Sequence, residues 1–167
     1  MKILCSICGR SGSSGVKNKN IKNFLGRSLI SYTIDQAKKS KFFNKIIISS
    51  DSKKILDLGK IYNVDLLIKR PLKLANSTAS KLKVIKHLFK YAERFYKTKF
   101  DLIVDLDITS PLRSFDDIKS TLSKIKSKKS AANVVCISNP KRNPYFNMVR
   151  LSGKKIKLVL GGKKTIH

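Results

Sequence analysis

At 167 residues the chain is long enough for one domain with its own core, and a hydrophobic share of 41% fits a globular protein that folds without disulfides or metal. No apolar run approaches membrane-spanning length, and the first one is too short for a secretory signal, so no membrane partner is expected. A net charge of +27 suggests nucleic acid, but only seven of the 37 cations are arginines. The lysines are spread over every segment without a basic cluster, which leaves nucleic acid a possible but less favoured partner.

In chain order, "KILCSIC" (2–8) reads as a buried strand and ends in the loop "CGRSGSSGVKNKN" (8–20). The segment "SLISYTIDQAKKSK" spaces Ile30, Ile34 and Ala37 as one helical face, with lysines in its last turn where a helix C-terminus favours cations. "KIIISS" (45–50) is a second strand, and 52–62 is a short helix with Ile55, Leu58 and Ile61 toward the core. "VDLLIK" (64–69) is a third strand. The longest helix, 78–96, carries a stripe of Leu82, Ile85, Leu88, Phe89 and Ala92.

"DLIVDLD" (101–107) is a fourth strand, followed by the turn "TSPLR". Ser114 precedes Asp117 by three, a capping-box-like start for a helix over 115–127. "AANVVCIS" (131–138) reads as a fifth strand, and "YFNMVRLSGKKIKLVL" as a hairpin turning at Ser152-Gly153. Alternating strands and helices imply an α/β fold, a mostly parallel sheet with helices on both faces and a C-terminal hairpin arm. We expect residues 1–138 to form the α/β domain and 139–167 the arm. Ligands of such sheets sit at the carboxyl ends of the strands, which gathers the loops at 9–20, 49–51, 70–80 and 107–113 on one edge.

The three cysteines are an odd count, and Cys5 and Cys8 point to opposite faces of a strand. With two histidines in the chain, a zinc site lacks ligands, and reduced cysteines in a cytoplasm are the better reading. Gly9, Gly12 and Gly15 are spaced G-x-x-G-x-x-G, which is neither the dinucleotide fingerprint nor a P-loop. Glycine and serine allow close backbone approach, and Arg10, Lys17 and Lys19 add positive charge, so phosphate is the expected ligand. A flexible strand-to-helix loop is the plain alternative.

This loop resembles the first motif of the acylneuraminate cytidylyltransferases, the CMP-sialic acid synthetases, written A-R-x-x-S-K-G-x-x-x-K-N. The stretches "IIISSDS" (46–52), "RPLKLANSTAS" (70–80), "DLDITSPLRS" (105–114) and "RNPYFNMV" (142–149) agree in the same order. The Asp-Leu-Asp form and "RNPYFN" look most like the branch that activates legionaminic acid. The "RNPYFN" match argues against an eight-carbon acid as substrate.

The resemblance implies a Rossmann-like nucleotidyltransferase sheet, similar to glycosyltransferase A. It also implies transfer of CMP from CTP to a nine-carbon keto-sugar acid with release of pyrophosphate, usually with Mg²⁺, and a homodimer built through the arm. It assigns nucleotide binding to Gly9, Arg10, Ser13, Gly15, Lys19, Asn20, Ser49, Asp51 and Arg70. Asp107, Thr109 and Ser110 fall to the sugar, and Arg10, Lys19 and Asp107 to catalysis. Asp107 is also the candidate Mg²⁺ ligand, with further ligands expected from a C-terminal segment of the family that this chain lacks. Each assignment has a plain counterpart: a solvated lysine for Lys19, a turn cap for Asp107, an exposed Pro-adjacent arginine for Arg70, a helix N-cap for Asp51. Arg113 reads as a structural arginine tying down its loop.

Two departures stand out: Ser14 replaces the motif lysine, and Ser77 an acid of the third motif. Together with the expected truncation they keep a second hypothesis open, a non-catalytic nucleotide-fold remnant that binds nucleic acid or anionic surfaces through its charge.

Overall fold

A computed structural model of the chain describes residues 1–12, 15–76, 78–128, 131–137, 149–153 and 155–158. Four parallel strands form the sheet: β1 (Ile3–Cys8), then, after a small antiparallel pair, β4 (Lys45–Ser50), β5 (Leu66–Lys69) and β6 (Leu102–Asp105), in the order β5-β4-β1-β6. The small pair, β2 (Asn23–Phe24) and β3 (Arg27–Ser28), is joined by Leu25 and Gly26 at φ 49° and 84°. It carries no Asn-Gly signal and was not expected from the sequence.

The helices are α1 (Leu29–Ser40), α2 (Lys53–Ile61), α3 (Lys81–Tyr96) and α4 (Phe115–Ser127). By compactness the chain divides into Met1–Ser120 and Thr121–His167, with the division falling inside α4. In the second unit β7 (Val149–Ser152) pairs antiparallel with β8 (Lys155–Leu158), giving the expected hairpin, with Gly153 in its turn at φ 59°.

Strand alternation builds two apolar layers. Leu4, Ile47 and Ile68 point to one face and pack with Leu88 and Ala92 of α3 and with Phe100. Their neighbours Ile48 and Leu67 point to the other face, where they lie against Gly59 of α2. On α1, Ile30, Ile34 and Ala37 are buried as expected.

Two expected core positions are not in the core. Ile61 is 72% exposed and Leu82 73%. Each lies six residues from a buried anchor (Ile55 and Leu88), about 120° round the helix, so the sheet cannot reach it. The buried stripe of α3 is instead Val84, Leu88 and Ala92.

The run 131–137 forms no strand: Val135 and Ile137 are exposed, and no ladder involves these residues. A β-branched run becomes a strand only when a neighbour supplies its hydrogen bonds. Among the described residues no helix is long and apolar enough to cross a membrane.

Candidate functional site

The chain runs from β1 outward to β4 and β5, then returns across the sheet to place β6 on the other side of β1. This reversal makes the carboxyl ends of β1 and β6 the switch point, where the sheet opens a crevice. On the face covered by α3 the apolar rows give way to polar residues at this edge: Ser6, Ser49 and Asp105.

The glycine-rich loop starts here and is tied down at several points. Gly9 N donates to the Ser49 carbonyl at 3.1 Å. Asn20, buried, donates through Nδ2 to the Arg10 carbonyl at 3.1 Å. Both carboxylate oxygens of Asp51 accept from Ser11, Oδ1 from its N–H at 2.9 Å and Oδ2 from its hydroxyl. Burial tends to raise the Asp51 pKa, but the bonds from Ser11 outweigh it and the net shift is downward. Asp51 therefore anchors the loop, while Ser52 takes the N-cap position of α2.

Gly9 is needed for space. A Cβ there would meet Ile108 Cδ1 at 3.0 Å and Ile55 Cδ1 at 3.1 Å. Arg10 is half-buried beside this junction, whereas Gly15 and Lys19 are exposed. Ser13, and with it the Ser14 and Ser77 departures and the "RNPYFN" stretch, lies outside the described residues.

Arg70 is buried rather than exposed. Its Nη2 donates to the Ser49 carbonyl at 2.7 Å and its Nε to Ser49 Oγ at 3.3 Å. Burial lowers its pKa, opposed by Cys8, Asp51 and Asp105 and assisted by Arg10. The Arg70 guanidinium is thus fixed at the edge where the loop begins.

Across the crevice, Ser6 Oγ donates to Asp105 Oδ1 at 2.7 Å. Lys81, the first residue of α3, places Nζ 2.7 Å from Asp105 Oδ2 and 3.0 Å from Asp107 Oδ2. Thr109 donates its N–H and hydroxyl to Asp107 Oδ1 at 2.9 and 2.7 Å, so Asp107 does cap its own turn. Burial would raise the Asp107 pKa, but the charge of Lys81 and the bonds from Thr109 bring it down to about 2.

Ser110, exposed, follows in the same turn, its N–H reaching the Asp107 carbonyl at 3.3 Å. Arg113 ties the loop down as expected, with Nη2 on the Asp107 carbonyl at 2.9 Å and Nη1 on Gln36 Oε1 at 3.0 Å. Gln36 in turn donates to the carbonyls of Pro111 and Arg113.

Sequence reasoning missed Ser6, Gln36 and Lys81. Only Lys81 carried a signal, because a lysine opening a helix opposes the helix dipole and calls for a nearby anion.

The edge offers the glycine-rich loop, the buried guanidinium of Arg70 and a lysine-clamped acid pair. It offers no thiolate: burial, then Asp105, pushes the Cys8 thiol up to about 12, and burial raises Cys5 as well. Such an edge can neutralise and orient an anionic group, and it presents no low-pKa thiol.

The architecture is that of an α/β nucleotidyltransferase. It matches the solved structure of a CMP:2-keto-3-deoxy-manno-octonic acid synthetase complexed with CTP, at a TM-score of 0.61 and 16% identity, over 78% of this chain and 49% of that one. Residues 4–156 match the family model described as Cytidylyltransferase, and the chain belongs to that family.

It is 39% identical over 155 residues to the CMP-N,N'-diacetyllegionaminic acid synthase of Campylobacter jejuni. It has the same identity over the same length to the post-translational flagellin modification protein B of Campylobacter coli. In both cases the match covers 93% of this chain and 66% of the relative, so the chain spans just under two thirds of their length. The resemblance to the legionaminic branch is borne out.

Proposed function

We propose that the carboxyl edge of the sheet binds CTP and transfers CMP to the anomeric oxygen of a nine-carbon keto-sugar acid of the legionaminic or sialic type. The observation that carries this reading is the buried Arg70 latched to Ser49 where the Gly9 loop begins, on the edge that also holds the Lys81-clamped Asp105 and Asp107, in a chain 39% identical to a CMP-N,N'-diacetyllegionaminic acid synthase.

The reaction forms one bond between the anomeric oxygen and the α-phosphorus and breaks the bond from that phosphorus to the pyrophosphate oxygen. It needs charge neutralisation and in-line positioning more than a strong base. Arg10, Arg70 and Lys19 supply the charge. Gly9, Ser13, Gly15, Asn20, Ser49 and Asp51 form or hold the nucleotide cradle. With its pKa held near 2, Asp107 is a weak base, suited to orienting the sugar together with Thr109 and Ser110.

Magnesium, expected from the resemblance, does not fit at Asp107 as the residues stand. Both carboxylate oxygens are engaged, one of them by an ammonium group. Among the described residues no cluster of three or more metal-ligating side chains occurs. The reading also includes a homodimer through the arm and a cytoplasmic setting, the latter supported by free cysteines.

The test is pyrophosphate release by the purified chain with CTP and Mg²⁺, with and without legionaminic and sialic acids. Release that depends on the sugar acid is expected. A chain that neither releases pyrophosphate nor binds CTP overturns the reading.

A further inference from the structure

We infer that Lys81 is a built-in counter-cation for Asp105 and Asp107, its ammonium occupying the place between the two carboxylates that a divalent ion would otherwise take. The facing oxygens of the pair, Oδ2 of each, share Nζ at 2.7 and 3.0 Å. The remaining oxygens are also engaged: Asp105 Oδ1 accepts from the buried Ser6 hydroxyl, and Asp107 Oδ1 from the N–H and hydroxyl of Thr109. A divalent ion needs carboxylate oxygens at about 2.0–2.6 Å and several of them unshared. Here it would have to displace the ammonium group or sit against a like charge.

The position of Lys81 in the chain points the same way. It is the first residue of α3, where the helix dipole disfavours a cation, and no acidic residue lies in that helix's first turn to offset it. The compensation comes from β6 and the turn after it, across the switch point. Lys81 thus joins the start of α3 to the carboxyl end of β6 and keeps the acid pair occupied without a metal.

The inference is tested on the full chain with Mn²⁺ alone, following the free-ion signal by electron paramagnetic resonance. No CTP or sugar is present, so the outcome is independent of whether the chain transfers CMP. The wild-type chain should leave the pair empty of Mn²⁺, giving the same titration as Asp105→Asn. Lys81→Met should gain one bound equivalent, and the double change Lys81→Met with Asp105→Asn should lose it again. Lys81→Arg, which keeps the charge, should gain none.

If Lys81→Met does not fold, as judged by circular dichroism, Lys81→Gln serves as the neutral variant. A wild-type site that Asp105→Asn removes would overturn the inference. So would neutral variants that fold but gain no site.

Discussion

Arg70 closes two hydrogen bonds on a single residue, Nη2 to the Ser49 carbonyl at 2.7 Å and Nε to Ser49 Oγ at 3.3 Å, although it is only 6% exposed. The residue after β5 is thereby latched to the end of β4, and the guanidinium is held at the edge where the Gly9 loop begins. Arg70→Met leaves the buried Ser49 hydroxyl without this donor, and we expect a loss of about 1–3 kcal/mol in urea denaturation. CTP affinity should fall with it. Arg70→Lys, which cannot present the two-pronged fork, should recover only part of either. Unchanged stability in Arg70→Met would mean the latch contributes nothing.

Gly9 and Gly12 stand in one loop but in different surroundings. A methyl group at Gly9 presses on Ile108 and Ile55, 1% and 2% exposed, whereas at Gly12 it meets nothing within 4 Å. Gly9→Ala should cost about 1–3 kcal/mol through overpacking. Gly12→Ala should stay within about 0.5 kcal/mol of the parent, as for other surface changes. Denaturation midpoints of the two variants decide the matter, and equal losses would refute the packing argument.

The start of α4 depends on a reciprocal pair. Asp117 N–H donates to Ser114 Oγ at 3.1 Å, and Ser114 N–H donates to Asp117 Oδ2 at 2.8 Å. Ser114→Ala should cost about 1 kcal/mol, as loss of an N-cap does. The bonds from Ser114 hold the Asp117 pKa down. A depressed carboxylate contributes stability above its unfolded pKa and loses it as pH falls through the folded one. Asp117→Asn should therefore destabilise at pH 7 and converge with the parent as pH drops below about 3.9. A gap that persists to low pH would show that the charge is not involved.

The cysteines should separate by accessibility and thiol acidity, with Cys5 buried, Cys8 half-buried and Cys136 exposed. Cys5 and Cys8 are held in the thiol form, Cys8 with a pKa of about 12, while Cys136 is exposed. At pH 8 a thiol reagent should modify one of the three in the native protein and all three in denaturant. Rapid reaction of a second thiol in the native state would show that Cys8 is not held in the thiol form.

Much of this molecule was legible in its sequence because the signals are local. Apolar runs and helical spacing located the four strands of the sheet and the four helices. Ser114 and Asp117 marked the start of α4, and the spacing of Gly9, Arg10, Lys19 and Asn20 carried the family resemblance. Position along a helix could not say how far round it the sheet reaches, so Ile61 and Leu82 were assigned to the core and lie outside it. The run 131–137 has a strand's composition, but composition cannot supply a neighbouring ladder.

The site divides the same way. The loop residues announced themselves, but the bond between Ser6 and Asp105, the clamp of Lys81 on Asp105 and Asp107 and the burial of Arg70 against Ser49 join residues 99, 24 and 26, and 21 positions apart. The first two contacts exist because the chain reverses across the sheet and sets β6 beside β1, the third because β5 lies beside β4. That choice of neighbour is made by the packing of α3 and the sheet, and no local period encodes it.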